Sequence, residues 1–130
     1  MIFFRATEVV SMRNGNKNFD VRIDRQSKWG NRHYMNDDSP AERDRVCNDH
    51  EKELWEKIDN GDITISELEK ELYGKRLGCW CKPKRCHGDA LANAAEWAHN
   101  LMNILRRLRK RKKKREKELH KRKSRRRVSR

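Results

Sequence analysis

The sequence predicts an α/β fold: a small three-or-more-stranded sheet with packed helices and a long C-terminal helix running into a basic tail. Three observations carry that expectation. Short apolar or alternating runs at Ile2-Phe3-Phe4, Phe19 to Ile23 and Lys75 to Trp80 have strand character. Apolar positions at helical spacing lie between the last two runs and after the third. Charge is split along the chain, with 17 Lys/Arg and 18 Asp/Glu in residues 1–100 against 17 Lys/Arg and 2 Asp/Glu in residues 101–130. With 42% charged and 34% apolar residues, the whole length cannot share one packed core. The expected organisation is therefore an α/β domain over residues 1–108 and a polybasic tail, helical or disordered, over 109–130.

The first strand is expected to open at Ile2 and end by Ala6-Thr7. Asn14-Gly15-Asn16 is a turn signal, and Phe19-Asp20-Val21-Arg22-Ile23 alternates with the period of a half-buried strand. The next segment, DRQSKWGN from Asp24 to Asn31, reads as a loop. Gly30 is expected there at a positive φ, beside a packed Trp29. Lys28 and Asn31 are the candidates to face a ligand.

Ser39-Pro40 has the form of an N-cap followed by proline at the first helical position, with Glu42 three residues after the cap. Val46, Leu54, Trp55 and Ile58 give this helix its stripe, and Gly61 ends it. Cys47 and His50, one turn apart, have a spacing able to share a metal; the alternative is a small buried Cys and an exposed His. Thr64 to Tyr73 forms a short helix closed by Gly74. After Asp89 the apolar positions run from Leu91 to Leu108 in steps of three and four, predicting a helix whose stripe lies on the sheet. From about Lys112 nothing apolar anchors the chain, and disorder or helix formed on binding is expected.

The tail is a polycation. Arg109, Lys110, Arg111, Lys112, Lys113, Lys114, Arg115, Lys121, Arg122, Lys123, Arg125, Arg126 and Arg127 are its candidate nucleic-acid contacts. They would grip phosphate without reading sequence, because the tail holds no aromatic ring for base stacking. No run approaches the roughly 18 consecutive apolar residues of a membrane span, so no membrane partner is expected. Clustered cysteines without a secretory leader point to a reducing, cytoplasmic setting, associated with nucleoid or ribosome.

Residues 78–89, GCWCKPKRCHGD, concentrate the chemistry. They join a strand end to a helix start, where α/β proteins place ligands. Three readings stand. Cys79, Cys81, Cys86 and His87 can hold zinc, since residues two apart on a strand share a face. Alternatively Cys86, near a helix N-terminus among Lys82, Lys84 and Arg85, is an activated thiol or lines an anion site. His87 would then be acid or base and Asp89 its orienting group. In the third reading the cysteines and Trp80 simply pack around a proline turn.

SKWGN at 27–31 paired with LGCWCKPKRCHGD at 77–89 resembles the domain of unknown function 4326 family. The likeness covers about residues 1–98. The resemblance implies that Trp29, Gly30, Asn31, Cys79, Trp80, Cys81, Pro83, Cys86, His87, Gly88 and Asp89 form a recurring unit. It also implies a protein of phage or bacterial origin; it implies no particular activity. The chain departs from the family pattern at Asp24, where glycine is usual, and at Arg32-His33, where Pro-Phe is usual. The expected function is a nucleic-acid-associated binding protein with a nucleotide or partner site on the α/β body. The alternatives are a small enzyme acting on a nucleotide or nucleic acid, and a protein targeting a host nucleoprotein such as the ribosome or RNA polymerase.

Overall fold

A computed structural model describes residues 6–128. Strands β1 (Glu8–Ser11), β2 (Val21–Arg22) and β3 (Arg76–Cys79) form one parallel sheet in the order β1-β3-β2. Helices α1 (Pro40–Asp59) and α2 (Ile65–Leu72) connect β2 to β3, and α3 spans Gly88–Val128. The fold is α/β, as the sequence predicts. The Ile2-Phe3-Phe4 run lies outside the described residues, and the strand that follows it begins only at Glu8.

The central strand is sandwiched, and after Arg76 its residues Leu77, Gly78 and Cys79 are all buried. On one face Leu77 and Cys79 are buried among Ile23, Leu91, Ala94 and Ala95, with Val9 and Val21 packed alongside. Burying a leucine such as Leu77 contributes about 1.5–3 kcal/mol. Gly78 points the other way. The connection from β1 to β2 crosses that face, and a Cβ at Gly78 would stand 2.8 Å from Phe19 Cγ and 2.9 Å from Met12 Cγ. The residue is glycine because another chain segment lies against the strand there. The connection turns at Asn14 (φ 58°) and Gly15 (φ 69°), so the expected turn is present.

Helix starts follow the capping signals. Ser39 Oγ accepts from the Glu42 amide at 3.2 Å, with Pro40 just inside the helix. Thr64 and Glu67 cap α2 reciprocally, and Gly74 (φ 71°) follows its end. Tyr73 stacks on His99 with ring centroids 3.7 Å apart, and Trp55 meets Trp97 edge-on at 5.1 Å. These contacts seat the start of α3 against α1 and the end of α2.

The chain divides into two compact units, 1–99 and 100–130. In the second the backbone stays helical through Val128. Its sequence is rich in Lys, Arg and Glu, which favour helix, and Lys112–Glu116 and Lys114–Glu118 are four residues apart. The apolar stripe of α3 is buried only as far as Ala98. Ile104, Leu105 and Leu108 are exposed. Among the described residues no helix is long and apolar enough to cross a membrane.

Candidate functional site

A cavity of about 560 Å³ opens at the C-terminal end of the sheet. Each strand delivers part of its wall: Arg13 after β1, Asp24 and Arg25 after β2, and Trp80 and Cys81 after β3. Helix α1 adds Arg43, Val46 and Cys47, and Asn31, His33, Tyr34, Arg85 and His87 complete most of the lining. Four arginines thus face one lining carboxylate, Asp24. Parallel sheets place ligands at this edge because the strand ends and the helix N-terminus converge there.

The arginines are held in place. Arg25 donates to the Asn31 carbonyl at 3.2 Å and lies 4.3 Å from the Tyr34 ring centre. Arg13 Nε donates to the Trp80 carbonyl at 2.7 Å. Arg43 reaches Asp38 at 3.1 Å, and Arg85 reaches Asp44 at 3.0 Å and Asn48 at 2.8 Å. Trp80 is 49% and Tyr34 64% exposed, so two partly exposed aromatic rings flank the cavity, that of Tyr34 lying under Arg25.

Asp24 links the two signature segments. Its Oδ2 accepts from Arg22 and, at 3.0 Å, from Trp80 Nε1. Burial opposes its ionisation, but these donors prevail and hold the carboxyl below its ordinary range. A glycine at this position would have no such bond to Trp80.

In the Cys turn, the Sγ atoms of Cys79, Cys81 and Cys86 all lie within 4.8 Å of one another. Two backbone amides point at them: Cys81 N–H donates to Cys79 Sγ at 3.2 Å, and Gly88 N–H to Cys86 Sγ at 3.3 Å. The second comes from the first turn of α3, whose dipole also favours negative charge on sulfur. The three thiols share protons. Bonds from Cys79 and Cys86 push the Cys81 thiol far below its ordinary range, while Cys79 is lifted to about 11 and Cys86 is raised as well. Cys81 is the least buried of the three. One negative charge in the group opposes the next, and a divalent cation would allow all three to ionise. The three cysteines are thus a group able to hold a metal.

His87 adjoins that group without lying within 4.8 Å of all three sulfurs. It is buried, its Nε2 donates to the Ile23 carbonyl at 2.7 Å, and its Nδ1 lies 3.6 Å from Cys86 Sγ. Burial pushes its pKa down, so the ring is neutral. Asp89 does not orient it; that carboxylate pairs with Lys82 at 2.9 Å. His50 is buried rather than exposed, packs edge-on against His87 at 4.9 Å, and does not join Cys47 in any metal group among the described residues. Cys47 Sγ is directed at the Arg85 carbonyl, 3.9 Å away.

Of the sequence-predicted ligand residues, Asn31 and Arg85 line the large cavity. Lys28 instead pairs with Glu67 and Glu71 of α2, and Lys84 with Asp38. Trp29 and Gly30 line a separate cleft of about 30 Å³ beside His50. Gly30 does not adopt a positive φ; it is glycine because a Cβ would stand 2.6 Å from Arg25 Cα and from the Asp24 carbonyl. Asn31 Nδ2 donates to the Val46 carbonyl at 2.9 Å and its Oδ1 accepts from the His33 amide at 2.9 Å. Sequence reasoning misses Arg13, Arg25 and Arg43, which carry no local signal beyond their charge.

No solved structure matches the chain. A protein of Enterobacteria phage T4, described as "Uncharacterized 12.4 kDa protein in nrdA-td intergenic region", is 44% identical over 75 residues. That match covers 58% of this chain and 66% of the phage protein, just short of two thirds of the relative's length. A family profile matches residues 10–97, which contain both signature segments and every strand after the start of β1. By that match the chain belongs to the family described as Domain of unknown function (DUF4326).

Proposed function

We propose that this protein is a nucleic-acid-associated binding protein, phage-encoded and acting in the host cytoplasm on nucleoid or ribosome. In this reading the cationic helix grips phosphates and the cavity on the α/β body takes a phosphate-bearing ligand of nucleotide type. The observation that carries it is the wall of the cavity: Arg13, Arg25, Arg43 and Arg85 against Asp24, with two exposed aromatic rings beside them. Arginine forks suit phosphate oxygens and the rings suit a base. Zinc is the metal best matched to three cysteine sulfurs, and we assign it to Cys79, Cys81 and Cys86.

Two measurements test the reading. Deleting residues 109–130 is expected to abolish most low-salt affinity for both DNA and RNA. If six to ten basic residues engage, affinity of the full chain falls about 10³–10⁵-fold between 50 and 200 mM salt. Unchanged affinity in the truncated protein would defeat this part. Calorimetry with adenosine monophosphate tests the cavity, and Arg85→Ala is expected to weaken binding roughly tenfold or more. Selective retention of ribosomes over naked nucleic acid would instead favour a nucleoprotein target.

A further inference from the structure

We infer that the metal site at Cys79, Cys81 and Cys86 is an open one, with three thiolate ligands and a fourth position that faces the arginine-lined cavity. The inference rests on the zinc and cavity assignments just made and adds what kind of site it is.

Three features support it. Among the described residues, no fourth Cys, His, Asp or Glu atom joins the sulfur group. Asp89 pairs with Lys82 at 2.9 Å and Cys47 Sγ is directed toward the Arg85 carbonyl, while His87 Nδ1, although 3.6 Å from Cys86 Sγ, is not within 4.8 Å of all three sulfurs. Structural zinc sites are closed by four protein ligands, whereas sites with three keep a position for water or substrate.

The sulfurs are also placed as metal thiolates are. Two of them accept backbone N–H donors, from Cys81 and Gly88, which orient the sulfurs and stabilise their charge as outer-shell hydrogen bonds do around metal centres. A tetrahedral ion with bonds of about 2.3 Å needs sulfur separations of roughly 3.8 Å, which the 4.8 Å limit on this group accommodates.

Finally, the open side has somewhere to lead. Cys79 and Cys81 are themselves part of the lining of the 560 Å³ cavity, together with Arg43, Arg85 and Trp80. One closed alternative is disfavoured by this arrangement, since a buried thiol cluster would not border solvent-filled space. An anion held by the arginines would thus lie next to the ion, and the site would exchange small ligands.

Cobalt(II) titration of the full-length, reduced chain tests the inference. One equivalent is expected to bind with thiolate charge-transfer absorption and tetrahedral ligand-field bands. Azide, a small anionic ligand, is then expected to shift those bands, because it enters the vacant position. Cys81→Ser is expected to lose the charge-transfer intensity; should it fail to fold by circular dichroism, the wild-type azide titration decides alone. Absence of stoichiometric cobalt with all thiols reduced overturns the site, and cobalt bands unmoved by azide overturn its openness. Adenosine monophosphate binding, read by calorimetry in the same samples, separates this result from the cavity reading. Nucleotide binding beside an azide-silent site refutes only the open position, and an azide shift without nucleotide binding refutes only the nucleotide.

Discussion

The segments 24–31 and 79–87 meet at one cavity and treat their polar groups in opposite ways. In the first, Asn31 bonds to the Val46 carbonyl and the His33 amide, Lys28 pairs with α2, and Gly30 lies against its own loop backbone. Nearly every group there holds the protein together. In the second, Cys81 borders the cavity, Trp80 is half exposed, and three sulfurs converge. Residues that recur together can therefore serve different ends. One segment shapes the wall, and the other lines it with sulfur and an indole ring.

Substitution should separate the two. Gly30→Ala is expected to cost about 3 kcal/mol, since the clashing atoms are backbone and cannot swing aside. Urea denaturation at neutral pH measures it, and a loss below about 1 kcal/mol would mean the loop yields easily. Behind that segment, burial first and His87 second lower the His50 pKa to about 4. A depressed histidine favours the folded state only while neutral. Its contribution is therefore complete above pH 6.5 and is lost as pH falls toward 4, by about 3 kcal/mol at most. His50→Phe should flatten that limb of the stability–pH curve.

Asn31→Ala leaves the Val46 carbonyl and the His33 amide without their partner and is expected to cost about 1–3 kcal/mol in the same denaturation assay. Smallest in stability is Cys81→Ser. The metal-free protein should stay within about 1 kcal/mol of wild type, while zinc stoichiometry by elemental analysis drops to near zero. If Cys81→Ser destabilised the metal-free chain as much as Gly30→Ala, the distinction between the two segments would collapse.

Much of the fold is legible in the sequence because its signals are local. Ser39-Pro40, the Thr64–Glu67 box and Gly74 mark helix ends within a few residues, and Leu68, Leu72, Ala94 and Ala98 mark buried faces by spacing alone. The pairing of β1 is not legible, since the register of Glu8 depends on a strand 68 positions away. The limit of burial on α3 is equally hidden, since Leu105 and Ala98 fit one periodic stripe although Ala98 is buried and Leu105 exposed. At the site, the cysteines stand out by composition. The arginines do not: Arg13, Arg25 and Arg43 look like ordinary surface charge until parallel topology gathers the strand ends. Gly30 and His50 defeat local reading for a related reason, because close backbone approach and burial are set by partners outside the local pattern.

The spacing of the sulfurs along the chain has a thermodynamic consequence. A metal bridging Cys79, Cys81 and Cys86 cross-links a loop of only eight residues, and short closures remove little entropy from the unfolded chain. A ligand spanning Arg25, Arg43 and Arg85 would instead tie together positions up to 60 residues apart. Cysteines this close together keep some metal affinity in the unfolded chain, which lessens the gain in melting temperature, whereas a ligand spanning the arginines has no site in the unfolded chain and stabilises the fold in full proportion to its affinity.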